Sequence, residues 1–213
     1  MNRLVVSFPK SGRTWLRYGL HLAGYPDIPF THDGFEYNDG AKPSLNFDLS
    51  ERVEVYKNFD KIIYLERDPR DTIVSLYHQV TGRFDDFFGY TSDISNFIRD
   101  SYFGVHNLVK FQKMWRDLSE ILPVMIVTYE EMSQDYQTIF KKVSKYLDLV
   151  VSDRALVQIN NQTSFTAMKD VEQNRLFDRP WLQPRMGANK VRRGKVGGYI
   201  DELSNEDIGY IEK

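Results

Sequence analysis

Lys10 is the first residue of the chain whose surroundings suggest chemistry. It lies in LVVSFPKSGRTW, Leu4 to Trp15, where an apolar run is broken by Pro9 and Gly12 and followed by Trp15, Leu16, Gly19 and Leu20 at helical spacing. That order reads as strand, tight loop, helix. The N–H groups of such a loop and of the first helical turn converge on one spot, where the helix dipole also favours negative charge. Lys10 adds a cation, and Ser11 and Thr14 add hydroxyl donors, so a phosphorylated or similarly anionic ligand is expected. A Walker-type loop would carry its Lys after the second Gly of G-x-x-x-x-G-K-[ST]; here Lys10 precedes Gly12 and no Gly lies upstream. The nucleoside triphosphate reading is therefore disfavoured, and an ordinary α/β turn with a solvated Lys is the plain alternative.

Two further groups of cations stand where an anion site would use them. Arg67 follows the apolar run Lys61 to Leu65, and in Glu66-Arg67-Asp68-Pro69-Arg70-Asp71 it can fork two N–H bonds onto a phosphate. Ser75 can add a hydroxyl from the helix that follows. The plain alternative is a surface salt-bridge cluster, since Asp68 and Asp71 flank the two Arg residues. Near the C-terminus, Arg192-Arg193-Gly194-Lys195-Val196-Gly197-Gly198-Tyr199 combines cations with glycines that let backbone approach a ligand closely. A flexible basic tail is the alternative there.

These strings, in this order, resemble the PAPS-dependent sulfotransferases, which use 3′-phosphoadenosine 5′-phosphosulfate as donor. Pro9 to Trp15 is similar to the family's phosphosulfate-binding loop P-K-S-G-x-T-W, and Arg67 to Tyr77 to its 3′-phosphate motif R-[DN]-P-[RK]-D-x-x-[VI]-S-x-[YF]. Arg192 to Tyr199 resembles R-K-G-x-x-G-D-W, with Gly198 standing where Asp is usual and Tyr199 replacing Trp. Tyr129 to Met132 is similar to Y-E-[DE]-[ML], and Thr163 to Lys169 to T-S-F-x-x-M-K. The resemblance implies a donor site made from Lys10, Ser11, Gly12, Arg13, Thr14, Trp15, Arg67, Ser75, Tyr129, Thr163, Phe165, Arg192, Arg193 and Gly194, with Trp15 and Phe165 offering faces to the adenine. It implies His32 as the general base, with Asp33 as orienter or alternate base, and Lys10 as the cation stabilising the leaving phosphate. Products would be a sulfated acceptor and adenosine 3′,5′-bisphosphate (PAP). Outside that resemblance, His32 follows Ile28-Pro29-Phe30 and should emerge at the carboxyl edge of a sheet, whereas structural roles suit His21, His78 and His106.

The elements that must position these residues alternate. Short buried strands at Leu4 to Phe8, Lys61 to Leu65 and Val124 to Thr128 are separated by helical patterns from Trp15, Thr72 and His106, with another over Tyr136 to Leu147. This predicts an α/β fold with a doubly wound, mainly parallel sheet, helices on both faces, a P-loop-like phosphosulfate-binding loop and ligands at the carboxyl ends of the strands. The expectation is one domain over 1–213. Gln79 to Gly104 lacks a period and reads as a mobile lid with helical turns, and Asn160 to Lys195 as mostly loop. The acceptor site is expected from Asp33 to Ser50, Gln79 to Gly104 and Arg175 to Asn189.

Composition bounds the function. The 213 residues are 41% hydrophobic and 27% charged, as in a globular domain, and contain no Cys, which excludes disulfides, thiolate metal sites and a Cys nucleophile. No H-E-x-x-H or similar spacing occurs, so no metal is expected. A net charge of −2 argues against a nucleic-acid partner. Without an apolar run long enough to span a bilayer or a signal segment, a cytoplasmic protein with no stable membrane insertion is expected. The acceptor would be a small molecule or glycan bearing a hydroxyl or amine. A P-loop-like kinase and a catalytically silent nucleotide-binding module remain as alternatives.

Overall fold

The computed structural model describes residues 1–37 and 45–213. At its centre lie β1 (Arg3–Ser7), β2 (Phe30–Thr31), β3 (Lys61–Glu66) and β4 (Val124–Thr128). They pair in the order β2-β1-β3-β4, and every pairing is parallel. A parallel sheet needs both faces covered, and β1 and β3 are accordingly apolar at successive positions rather than at alternate ones. Leu4, Val6, Ile62 and Tyr64 point into one core, while Val5, Ile63 and Leu65 point into the other.

Helices α1 (Arg13–Leu22), α2 (Leu49–Tyr56), α3 (Pro69–His78), α4 (Asp85–Phe88), α5 (Ile94–Arg99), α6 (Val105–Ser119), α7 (Tyr129–Gln134), α8 (Tyr136–Tyr146), α9 (Asp153–Gln162), α10 (Phe165–Gln173) and α11 (Asn205–Ile211) complete the described residues. The Leu4 face is covered by Ile73 and Val74 of α3, Phe97 of α5, and Phe111 and Trp115 of α6. The Val5 face is covered by Leu16 and Leu20 of α1, Met132 of α7, Ile139, Phe140 and Val143 of α8, and Leu156 of α9. The fold is thus the doubly wound α/β arrangement that the alternation predicts.

Three segments differ from expectation. Gln79 to Gly104 is no bare lid: it opens with a π turn over Gln79–Arg83, continues through α4 and α5, and buries Phe97, Ile98 and Phe103. Phe97 and Phe103 stack at 5.2 Å between ring centroids, so this stretch is part of the core. Residues read as tail loop form α10, started by the Ser164 hydroxyl accepting from the Ala167 N–H. Helix α3 begins at Pro69 rather than Thr72, because Asp68 caps it and a proline is well tolerated in the first turn. Within the expected acceptor segment Asp33 to Ser50, residues 38–44 lie outside the described residues; the remainder includes the start of α2, capped by Asp48.

Candidate active site

A cavity of about 910 Å³ opens at the carboxyl ends of all four strands, lined by Lys10 after β1, His32 after β2, Arg67 after β3 and Tyr129 after β4. Parallel α/β sheets commonly hold ligands there. The β1–α1 loop turns through left-handed backbone at Lys10 (φ 75°) and Gly12 (φ 96°). Glycine is required at position 12 on two counts, since an added Cβ would also come within 2.8 Å of the Tyr129 ring. At Lys10 the same conformation is strained for a residue with a side chain, a feature that concentrates at ligand sites. No side chain caps the start of α1; the Trp15 N–H donates to the Gly12 carbonyl at 3.0 Å, and those of Arg13 and Thr14 remain available to a ligand. Burial, then the charges of Lys190, Arg83, Arg67 and Arg192, hold the Lys10 ammonium well below the usual lysine range. An anion placed among these cations would relieve both effects.

Neighbouring strands fix His32. Val6 pairs with Thr31, which brings Ser7 at the end of β1 beside His32 at the end of β2. The imidazole Nδ1 lies 2.7 Å from the Ser7 carbonyl oxygen, which can only accept, so Nδ1 carries the hydrogen and Nε2 keeps its lone pair. Burial and the Arg13 charge push the His32 pKa well below its ordinary value, with Lys190 and Lys10 adding to this against the Ser7 hydrogen bond. The ring is therefore neutral at neutral pH.

Asp33 is bonded through its carboxylate to groups other than His32. Its carboxylate accepts from Arg52 Nε at 2.9 Å, Tyr56 OH at 2.6 Å and Trp115 Nε1 at 3.1 Å, in a buried network below the site. Ser7 performs the orienting that Asp33 was expected to supply.

Arg67 joins three segments. Its guanidinium donates to the Lys10 carbonyl and the Lys195 carbonyl, each at 3.3 Å, and lies over the Tyr129 ring at 4.1 Å. Its own carbonyl accepts from Gln112 Nε2 at 2.7 Å, which fixes the backbone that aims it. Ser75 lines the same cavity from α3. The glycine-rich segment docks on Asp71, which accepts from the N–H groups of Gly197 and Tyr199 at 2.8 and 2.9 Å. Those contacts are made by backbone, and so they persist with Gly198 and Tyr199 in place of Asp and Trp. Gly194 is left-handed (φ 63°) and packs so closely on Phe165 that a Cβ would fall 2.4 Å from its ring. Arg192 and Arg193 line the cavity with their charges tied to Glu202 and Asp201.

The remaining donor candidates gather on one side. Trp15, Tyr129, Thr163 and Phe165 all line the cavity, but one face of Trp15 is already occupied by Tyr136, stacked at 4.8 Å. Tyr129 also lies against Trp15, edge-on at 5.6 Å, which narrows the surface left for a ligand ring. Among the buried polar atoms without a partner in the described residues are Ser11 Oγ, Trp15 Nε1 and Arg67 Nε, all in residues of this cavity or its loop. Unmade hydrogen bonds at buried donors are costly, and an anionic nucleotide would satisfy them. The residues present thus fit such a ligand.

Sequence reasoning did not single out Arg83, Gln79 or Lys190. Arg83 ends the π turn and donates through Nη1 to the carbonyls of Gln183 and Ala188 at 2.9 and 3.2 Å. Glu172 of α10, fully buried, lies 3.7 Å from Arg83 and accepts from the backbone N–H groups of Lys190 and Val191. This knot straps residues 183–191 across the cavity. No motif marks it; an acidic residue at a buried position of α10 would have been the only hint.

A family model described as Sulfotransferase domain matches residues 50–213. The chain belongs to that family. The luciferin sulfotransferase of Photinus pyralis is 31% identical over 160 residues, covering 70% of this chain and 41% of that protein. Human sulfotransferase 2B1 is 25% identical over 230 residues, covering 94% and 61% respectively. Spanning 41% and 47% of the first two relatives, the chain matches about half of their length. Mouse sulfotransferase SULT7A1, solved in complex with PAP, superposes with a TM-score of 0.71 at 21% identity, covering 99% of this chain and 82% of that one. Retinol dehydratase in complex with androsterone and PAP superposes at 0.63 with 18% identity, over 99% and 78%. At these identities the likeness is one of fold, and it extends over the N-terminal cradle and His32, which the family match leaves out. Among the described residues, no helix is long and apolar enough to cross a membrane.

Proposed function

We propose that the protein, acting as one domain over 1–213, transfers the sulfuryl group of PAPS to a hydroxyl or amine of an acceptor. The observation that carries this reading is the pairing of two groups at one cavity: an imidazole held neutral with Nε2 free, and an uncompensated ammonium in a strained anion-binding loop. When bound, PAPS supplies an activated sulfuryl group, whose bond to the 5′-phosphate oxygen breaks as the acceptor oxygen or nitrogen bonds to sulfur. His32 Nε2 takes the proton that the acceptor loses. Lys10 and the N–H groups that open α1 stabilise the charge that grows on the departing phosphate. Arg67, Ser75, Arg192 and Arg193 hold the 3′-phosphate, and Trp15, Tyr129, Thr163 and Phe165 surround the adenine.

This assignment is supported by the unpartnered polar atoms of Trp15 and Arg67 in the cavity wall and of Ser11 in the adjoining loop. The family membership supports the chemistry, and the PAP complexes of proteins with the same fold support the nucleotide. The test is incubation of the purified protein with labelled PAPS and a panel of phenols, alcohols, amines and glycans, with ATP as a parallel donor. Label transfer from PAPS that depends on His32 is the expected result. Transfer from ATP instead, or PAP binding without turnover of any acceptor, would replace this reading with a kinase or a nucleotide-binding module.

A further inference from the structure

The cavity holds more positive charge than the proposed donor uses. Beyond Lys10, Arg67, Arg192 and Arg193, it is lined by Arg17, Arg83 and Lys190, with Phe84 and Trp181 beside them. Among the described residues, the acidic side chains lining it are Asp71 and Asp135: Asp71 accepts from the Gly197 and Tyr199 N–H groups and lies 3.8 Å from Arg67, and Asp135 caps α8 by accepting from the Thr138 N–H. Glu172, beneath this wall, spends its oxygens on two backbone N–H groups and Arg83. The Lys190 ammonium is left with Gln79 Oε1 at 3.5 Å as its hydrogen-bond partner among the described residues. Arg83 is buried, and its Nε has no partner. The Arg17 guanidinium lies over the rings of Trp181 at 4.8 Å and Phe30 at 5.4 Å, without a carboxylate among the described residues.

One buried carboxylate, Glu172, stands against both Arg83 and Lys190; buried cations in excess of counter-charge are costly, and clefts lined by one sign concentrate ligands of the other. Burial, then the charges of Arg83 and Arg13, push the Lys190 pKa down to about 7, against the opposing charge of Glu172. Lys190 acts electrostatically on both Lys10 and His32, with which it lines the same cavity. The strap gives it a fixed root, because Glu172 holds the Lys190 backbone and not its side chain.

We infer that the acceptor itself carries an anionic group, a carboxylate or a phosphoryl or sulfuryl oxyanion, seated on Lys190 and Arg83 with Arg17 at the rim and its body against Phe84 and Trp181. This rests on the sulfuryl-transfer reading and adds the substrate class to it.

The test compares three phenols with a common body: para-hydroxyphenylacetate, para-hydroxybenzylphosphonate and the neutral para-hydroxyphenylacetamide. Each is assayed for turnover with saturating PAPS and titrated calorimetrically into the PAP-saturated protein. The wild type should favour one or both anionic members over the amide by about tenfold or more, as a charge-assisted hydrogen bond implies. Which anion leads separates carboxylate from phosphoryl recognition. Lys190→Met should collapse that preference, and Lys190→Arg should retain most of it. Equal losses for all three acceptors in Lys190→Met would assign Lys190 to the transferred group and overturn the proposal, as would wild-type indifference to acceptor charge. If PAP binds and the acceptors are not distinguished, the anionic-acceptor inference fails while the donor reading stands. If PAP does not bind, both fail.

Discussion

The proposed donor wall and the Lys190 wall face one cavity, but they are assembled differently. The donor wall is built from short contiguous strings, and its arginines are tied to fixed acceptors while Lys10 is not: Arg67 to the carbonyls of Lys10 and Lys195, Arg192 and Arg193 to Glu202. The other wall brings together a π turn, one face of α10 and a strap, through an Arg83 to Ala188 contact that spans 105 residues. Its cations are left with little counter-charge. Both walls need long-range contacts, the Arg67 to Lys195 bond spanning 128 residues, but the strings of the first are legible as motifs and nothing local marks the second. The first should resist disturbance of the second.

The largest effect should come from removing the proposed base, His32. His32→Gln is expected to lower turnover by about 10²–10⁴-fold, while PAP affinity measured by calorimetry changes little, because the ring contacts Ser7 rather than the loop cations. Parallel loss of PAP binding and turnover would mean that His32 is structural. Next in size, Glu172→Ala leaves Arg83 buried beside two unpaired backbone N–H groups and should cost roughly 3–5 kcal/mol. Urea unfolding would read that loss. In the protein that remains folded, acceptor KM should rise much more than the PAP dissociation constant; equal shifts would show that the walls are one unit.

Arg67→Ala sharpens the other side of the comparison. It should weaken PAP by about 1.5–3 kcal/mol and adenosine 5′-phosphosulfate, which lacks the 3′-phosphate, by much less. Calorimetry giving the same loss for both nucleotides would remove Arg67 from the 3′-phosphate.

The same contrast explains what could be read from the sequence. The cradle was legible because strand, left-handed loop and helix follow one another directly, and the loop needs a residue like Gly12. His32 was placed by its position after a short apolar segment, and the strand register accounts for its neighbour Ser7 only once β1 and β2 are paired. The fate of Asp33 was illegible: its partners Arg52, Tyr56 and Trp115 lie 19, 23 and 82 residues away. Gln79 to Gly104 misled because its aromatics pack from several short turns at different angles, so they share no period although Phe97 and Phe103 are core. Lys190 could be seen as a cation but not as a buried one, since its burial depends on Arg83 and Glu172 arriving from elsewhere.

Taken per pH unit, the smallest effect concerns pH. With a folded pKa of about 7, against about 10.4 for an unperturbed lysine, Lys190 binds fewer protons folded than unfolded between those values. Stability therefore rises with pH where the unfolded state holds more protons, and this group opposes folding fully below pH about 7. The slope it contributes is at most about 1.4 kcal/mol per pH unit. Lys10, also pushed down by burial and like charges, contributes in the same direction. Unfolding of the ligand-free protein should accordingly show a component that gains stability from neutral to moderately alkaline pH, smaller in Lys190→Met. Saturating PAP should suppress mainly the Lys10 share, and an anionic acceptor the Lys190 share. If PAP alone abolishes the whole component, Lys190 belongs to the donor wall, and the separation of the two walls is lost.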